Sequence, residues 1–92
     1  NKFNENFENL SNSWACYNAA QNGSLECLKL LRDNKFPWDE RVMNVAGVSK
    51  NIDCFIYAYE NYCPFSEYIM SDLIQYGSVD CLKFLHQKIL KA

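Results

Sequence analysis

Ninety-two residues, 49% of them apolar, are enough for one domain with a modest core and too apolar for a disordered chain. The net charge of −2 argues against a nucleic-acid surface, because phosphate binding needs clustered cationic charge. No stretch approaches the roughly 18 consecutive apolar residues of a membrane span, and no signal-peptide pattern opens the chain. The chain does not start with Met, and its first residues read as part of a repeat; on that basis a fragment of a longer protein is expected.

Residues 1–11 are rich in asparagine but carry Phe3, Phe7 and Leu10, whose spacing sets them on one helical face. They are expected to form a short helix closing one end of the domain. Residues 12–22 read as a helix capped by Asn12 or Ser13, with a stripe of small residues, Ala15, Cys16, Ala19 and Ala20, that lets a neighbouring helix approach closely. Gly23 ends this helix in the left-handed conformation that glycine tolerates. Ser24 is the expected cap of a second helix, with Glu26 favoured by the dipole of its first turn. Leu25, Leu28 and Leu31 form an apolar ridge that Cys27 and Leu30 widen, so this helix is expected to lie between two neighbours.

Pro37 interrupts the helical pattern and biases Phe36 towards an extended shape. Asp39 then caps a helix over 40–49, with Val42, Met43, Ala46 and Gly47 as its buried stripe. Lys50 stands where a turn glycine is wanted, so that turn is expected to be strained or differently shaped. A helix over 52–61 follows, then a second junction around Pro64, with Ser66 as the next cap. The last two helices are expected over 67–76, with the stripe Ile69, Met70, Leu73 and Ile74, and over 78–91.

These segments are copies of one unit. Gly23-Ser24-Leu25-Glu26-Cys27-Leu28-Lys29-Leu30-Leu31 returns 54 positions later as Gly77-Ser78-Val79-Asp80-Cys81-Leu82-Lys83-Phe84-Leu85. Lys50 to Ala58 is a looser copy halfway between, so Cys27, Cys54 and Cys81 stand 27 residues apart, as do Pro37 and Pro64. A fixed interval of this length marks a stacked repeat array. The expected fold is an all-α solenoid of three helix-loop-helix units in one domain: an end segment 1–11 and repeats 12–38, 39–65 and 66–92. Trp38 and Phe65 are equivalent and read as rings wedged between successive repeats, with direct ligand contact as the alternative. Phe55, in the middle unit, is expected to pack between the outer two. Residues 15, 19, 25, 28 and 31 and their equivalents at +27 and +54 are expected to be mostly buried.

Ala19 to Leu31, and again Tyr76 to Leu85, resembles the helix pair of ankyrin repeats, in which a small-residue first helix leads through an Asn-Gly turn to a leucine-rich second helix. The Pro37-Trp38-Asp39 junction is similar to that of the short-period ankyrin-type repeats of giant DNA viruses and protists. The likeness spans about residues 12 to 90. The resemblance implies a scaffold or adaptor that binds another protein. The departures are a 27-residue interval in place of about 33, and a missing Thr-Pro-Leu-His turn. The β-hairpins should therefore be reduced or absent, and the family's hairpin-tip binding residues have no counterpart to carry over.

The chemistry-bearing residues are few. The three equivalent cysteines are expected to be reduced and buried, because free cysteine behaves as a small hydrophobe and disulfide frameworks belong to secreted chains. One histidine, His86, and no C-x-x-C pair speak against zinc. No nucleophile, base and orienting group stand together, so no catalytic residue, cofactor or metal is expected. The expected partner-binding positions lie on the first helix of each unit: Trp14, Arg41 and Tyr68 are equivalent, as are Tyr17, Asn44 and Ser71. They differ from unit to unit, and aromatics and arginine at exposed positions are typical anchors. Trp14 fits equally a cover for the end of the stack. The expected function is protein–protein recognition inside the cell, in the cytoplasm, or in host cytoplasm or a virion if the source is viral. The isolated chain is then a monomer, or one member of a larger complex. The alternative is a structural part of a larger assembly such as a virion, and an adjoining F-box would indicate an adaptor for ubiquitination.

Overall fold

The computed structural model describes residues 14–91, so the expectations for residues 1–11 and for the caps at Asn12 and Ser13 lie outside the described residues. Those described form six helices and no strand: α1 (Trp14–Gln21), α2 (Leu25–Asp33), α3 (Glu40–Val48), α4 (Ile52–Glu60), α5 (Ile69–Gln75) and α6 (Val79–Lys91). The all-α expectation therefore holds. Each helix packs on the other member of its pair, α1 on α2, α3 on α4 and α5 on α6. Between pairs, α3 packs on both α1 and α5, and α4 on both α2 and α6.

The turns explain this regularity. A residue with positive φ follows each first helix: Gly23 (71°), Lys50 (62°) and Gly77 (67°). Within each turn two amides fold back. Ser24 N–H donates to the Ala19 carbonyl and Gly23 N–H to that of Ala20, and Asn51 and Lys50 do the same to Ala46 and Gly47. This closes the last carbonyls of the helix against water. Lys50 thus keeps the turn its glycine equivalents make, and only the cost of a left-handed side-chain residue, about 1 kcal/mol, distinguishes it. The same turn ends α2 and α4, with Lys35 (65°) and Tyr62 (66°) in the left-handed position.

The pairs interlock through buried residues on the first helices. Cys16, Ala20, Met43 and Ala46 are fully buried. A Cβ added to Gly47 would come within 2.5 Å of Leu73 Cδ2 on α5, so α5 sits where only a glycine leaves room. Phe55 is fully buried and meets Phe84 of the third pair edge-on, ring centroids 6.2 Å apart. Polar turn residues reach across the same boundaries. Asn51 Nδ2 donates to the carbonyls of Ala20 (2.8 Å) and Gln21 (3.0 Å), and Ser78 Oγ donates to that of Gly47 (2.6 Å).

The junction after α2 is pinned by Arg32. Its guanidinium donates to the Phe36 carbonyl and stacks 4.2 Å from the Trp38 ring centroid. Trp38 meets Tyr57 of α4 edge-on, so it bridges the first and second pairs as expected. Phe65 is more open, 39% exposed, and rests on Tyr59. Asp39 caps α3 by accepting from Arg41 N–H at 3.0 Å.

Four expectations are corrected. Cys27 is exposed and Leu30 is 63% exposed, although Cys54 and Cys81 are buried. In α2 only Leu28 is buried, because among the described residues no earlier pair covers the outer face of the first. Ile74 (64%) and Val79 (54%) are exposed for the matching reason at the other end. Ser24 makes no side-chain cap bond to α2; the corresponding Asn51 and Ser78 use their side chains across the pair boundary instead. Ser66 accepts from Tyr68 N–H at 3.1 Å but caps a turn, and α5 starts later, at Ile69.

All five cysteines are free thiols. Desolvation by burial pushes the Cys16 and Cys54 thiols up, that of Cys81 to about 11 and that of Cys63 to about 12, from an ordinary value of 9.0. For a group whose folded pKa is raised, the stabilisation is complete below the unfolded value and is lost as pH rises through the folded one. The urea midpoint should therefore fall between pH 9.0 and about 11. Cys63→Ala should flatten that slope, and unchanged slopes in wild type and variant would contradict the burial of this thiol. In the same samples at neutral pH, Cys27 should alkylate rapidly and the other four thiols only after unfolding.

Candidate functional site

The first helices of the second and third pairs enclose an open groove of about 390 Å³, lined by Glu40, Arg41 and Asn44 from α3 and by Ser66, Tyr68 and Asp72 from the segment leading into and through α5. Three of the six positions read from the sequence, Arg41, Asn44 and Tyr68, meet here. The pair boundary places them together: α3 and α5 pack through Gly47 and Leu73, which leaves their polar edges side by side.

Arg41 is held by its own cap residue. Its Nη2 lies 3.2 Å from Asp39 Oδ2, with both side chains about half exposed. Such a pair adds little stability, but it holds the guanidinium at the rim of the groove. Asn44 Nδ2 donates to Asp72 Oδ2 at 2.6 Å across the groove floor and ties the second pair to the third. Tyr68 projects with 65% of its surface exposed, its backbone N–H fixed by Ser66 Oγ. The groove thus presents carboxylates from Glu40 and Asp72, one guanidinium and an exposed phenol ring. It can accept hydrogen bonds from cationic or amide groups and offers an aromatic surface beside them.

The other three predicted positions lie apart from this groove. Trp14 and Tyr17 stack on each other on α1, centroids 5.5 Å apart and planes within 10°. Trp14 is 44% exposed, so the two rings form an aromatic step one pair away along the same series of helices. Ser71 is exposed on α5 but does not line the groove. Asp72, Glu40 and Ser66 were missed by the sequence reading. Asp72 was detectable as the residue four after Tyr68, the spacing that brings side chains onto one face. Its bond to Asn44 spans 28 residues, one more than the repeat interval, and equivalence alone does not reveal it.

Elsewhere, Leu25, Lys29, Asp53, Ile56, Tyr57 and Glu60 line a shallower groove between α2 and α4. Lys29 Nζ lies 5.9 Å from the centroid of the Tyr57 ring. His86 is exposed on α6. Among the described residues no group of three or more His, Cys, Asp or Glu is placed to hold a metal ion. No helix among them is long and apolar enough to cross a membrane. Compared with known proteins, the chain matches no family model, no curated protein and no solved structure.

The Asn44–Asp72 bond should couple the second and third pairs. Asn44→Ala and Asp72→Ala should each destabilise the fold by about 1 kcal/mol, and the double variant by less than their sum, because a single hydrogen bond is lost once. Strict additivity in urea denaturation would mean that the bond does not form in solution.

Proposed function

We propose that this chain is a non-catalytic protein-recognition module, an ankyrin-like helical repeat solenoid of three short units whose first-helix face binds a partner protein. The observation that carries this reading is the groove between α3 and α5. There Arg41, Asn44 and Tyr68 converge, three of the first-helix positions that the sequence marks by their variation between units and, for Arg41 and Tyr68, by residue type. The 27-residue interval and the recurring turn at Gly23, Lys50 and Gly77 support the repeat architecture, and the Trp14–Tyr17 step extends the surface along it. The partner is a polypeptide segment with a basic or amide-bearing residue for the Glu40 and Asp72 carboxylates, and an apolar residue for the aromatic rings. No cofactor, metal or catalytic residue enters this reading. Five free thiols suit a reducing compartment, hence an intracellular location.

A second reading, a structural part of a larger assembly, is favoured by one observation: large apolar side chains are exposed at both ends of the series of pairs, Leu30 at one and Ile74 at the other.

Peptides selected from a random displayed library on the immobilised chain provide the test. Selected sequences should share a basic residue next to an apolar one. Arg41→Ala, Tyr68→Ala or Asp72→Ala should each weaken them by about tenfold or more, the loss expected for a hot-spot residue. Lys83→Ala, on α6, should leave them unaffected. Selected peptides indifferent to all three groove substitutions would overturn the assignment of this face.

A further inference from the structure

The second helices also enclose a groove, and its lining breaks the repeat. α2 and α4 meet along an open groove of about 240 Å³, with Leu25 and Lys29 on one side and Asp53, Ile56, Tyr57 and Glu60 on the other. The four α4 residues stand at i, i+3, i+4 and i+7, so they form one stripe along the helix, two apolar side chains between two carboxylates. Ile56 takes the place that Lys29 holds in the first unit and Lys83 in the third. Both lysines are exposed, whereas Ile56 is half-buried. The fold accepts a solvated lysine at this place in both outer units, and a break in a local rule of this kind marks a functional position.

Glu60 breaks a second rule. It is the last residue of α4, where the helix end carries partial negative charge and disfavours a carboxylate, and no basic residue stands in that turn. Asp33 ends α2 in the same way. Burial, and after it the charge of Asp33, push the Tyr57 hydroxyl up, with Arg32 opposing, so this third carboxylate stands beside the groove floor. Neither Asp53 nor Glu60 forms an ion pair among the described residues. Lys29 Nζ sits 5.9 Å from the Tyr57 ring centroid, and Arg32 is held by the Phe36 carbonyl and the Trp38 ring. Three carboxylates thus face two cations that are already engaged with aromatic rings.

We propose that the α2–α4 groove docks a basic amphipathic helix of a partner protein, with two cations seven residues apart set against Asp53 and Glu60 and apolar residues between them set against Ile56 and Tyr57. The two carboxylates are seven residues apart on one helix, hence about 10.5 Å along its axis. A second helix lying in the groove repeats that interval at i and i+7 on a single face. An extended strand does not, because its same-side residues recur at about 6.8 Å and about 13.6 Å. The excess of negative charge selects a basic partner, and the apolar stripe selects an amphipathic one. The site lies on the second helices and works whatever the α3–α5 groove binds.

Fluorescence anisotropy of a labelled peptide with the full 92-residue chain tests the proposal. The probe is an alanine-based helix with lysines at i and i+7 and leucines at i+3 and i+4. Its isomer has the same composition with the lysines at i and i+2. The probe should bind about tenfold or more tightly than the isomer, gain helix by circular dichroism, and weaken as salt rises. Ile56→Lys writes the residue of the flanking units into the middle one, and should weaken binding by about tenfold or more without unfolding the chain. Glu60→Gln should weaken binding and raise the urea midpoint, because it relieves the helix end of a like charge. A carboxylate kept for stability would instead lower the midpoint on removal and leave binding unchanged. Equal binding of probe and isomer would mean charge attraction without a docked helix, and would overturn the proposal. So would variants that bind as the wild type does, or a probe that fails to bind at millimolar concentration, whether another segment of the chain fills the groove or nothing does.

Discussion

The close approach of α5 to α3 at Gly47 is the constraint on which the rest of the described structure depends. A single methyl group there would stand 2.5 Å from Leu73 Cδ2 and 3.2 Å from the Phe55 ring. The absence of a side chain lets Leu73 enter the space beside Phe55, brings Ser78 within hydrogen-bonding distance of the Gly47 carbonyl and sets Asn44 against Asp72. Ala20 has the same role one pair earlier, where Asn51 supplies the cross-boundary hydrogen bonds. Apolar burial gives these boundaries their stability, and the side-chain amide or hydroxyl sets their register. The Ala20 and Gly47 carbonyls already accept from the turn amides of Gly23 and Lys50, and the side chain from the next pair adds a second bond at one relative position of the two pairs.

The proposed recognition role rests on what this packing leaves outside. Each first helix gives its buried stripe to the boundaries, and its other face is left largely to solvent apart from the Asn44–Asp72 bond. Arg41, Asn44 and Tyr68 occupy that face, and the boundary aligns them into one groove. They offer an exposed ring, a rim guanidinium and carboxylates that accept hydrogen bonds, which is the chemistry the proposed recognition role uses. Exposed apolar side chains also stand on the first and third pairs, Leu30 on the one and Ile74 on the other.

Much of the fold was legible in the sequence because its determinants are local. Pro37 and Pro64, the turn glycines and the alternation of small-residue and leucine-rich segments place the helices expected over 40–49, 52–61, 67–76 and 78–91 within a residue or two at each end. Lys50 was harder to read, since its sequence suggests a different turn. The backbone hydrogen bonds closing that turn are strong enough to hold a lysine at φ 62°. What the sequence could not show was which faces have neighbours. Cys27 matches Cys54 and Cys81 in every local respect and is exposed, because burial belongs to the neighbouring helix pair as much as to the residue. For the same reason the candidate groove was only half legible. The repeat identified which positions vary, but Asp72 became part of the site only when α5 was placed beside α3.

The middle pair is the place to test the interlocked packing, because it has a boundary on each side. Phe55 is fully buried there and touches the third pair through Phe84, whereas Lys83 is exposed on α6. Chemical denaturation of Phe55→Ala and Lys83→Ala beside the wild type is the most direct measurement. If the pairs stabilise one another through these boundaries, Phe55→Ala costs about 3–5 kcal/mol and lowers one cooperative transition for the whole domain. Lys83→Ala then costs about 0.5 kcal/mol or less. Similar midpoints for the two variants would contradict a fold held together at the boundaries between helix pairs.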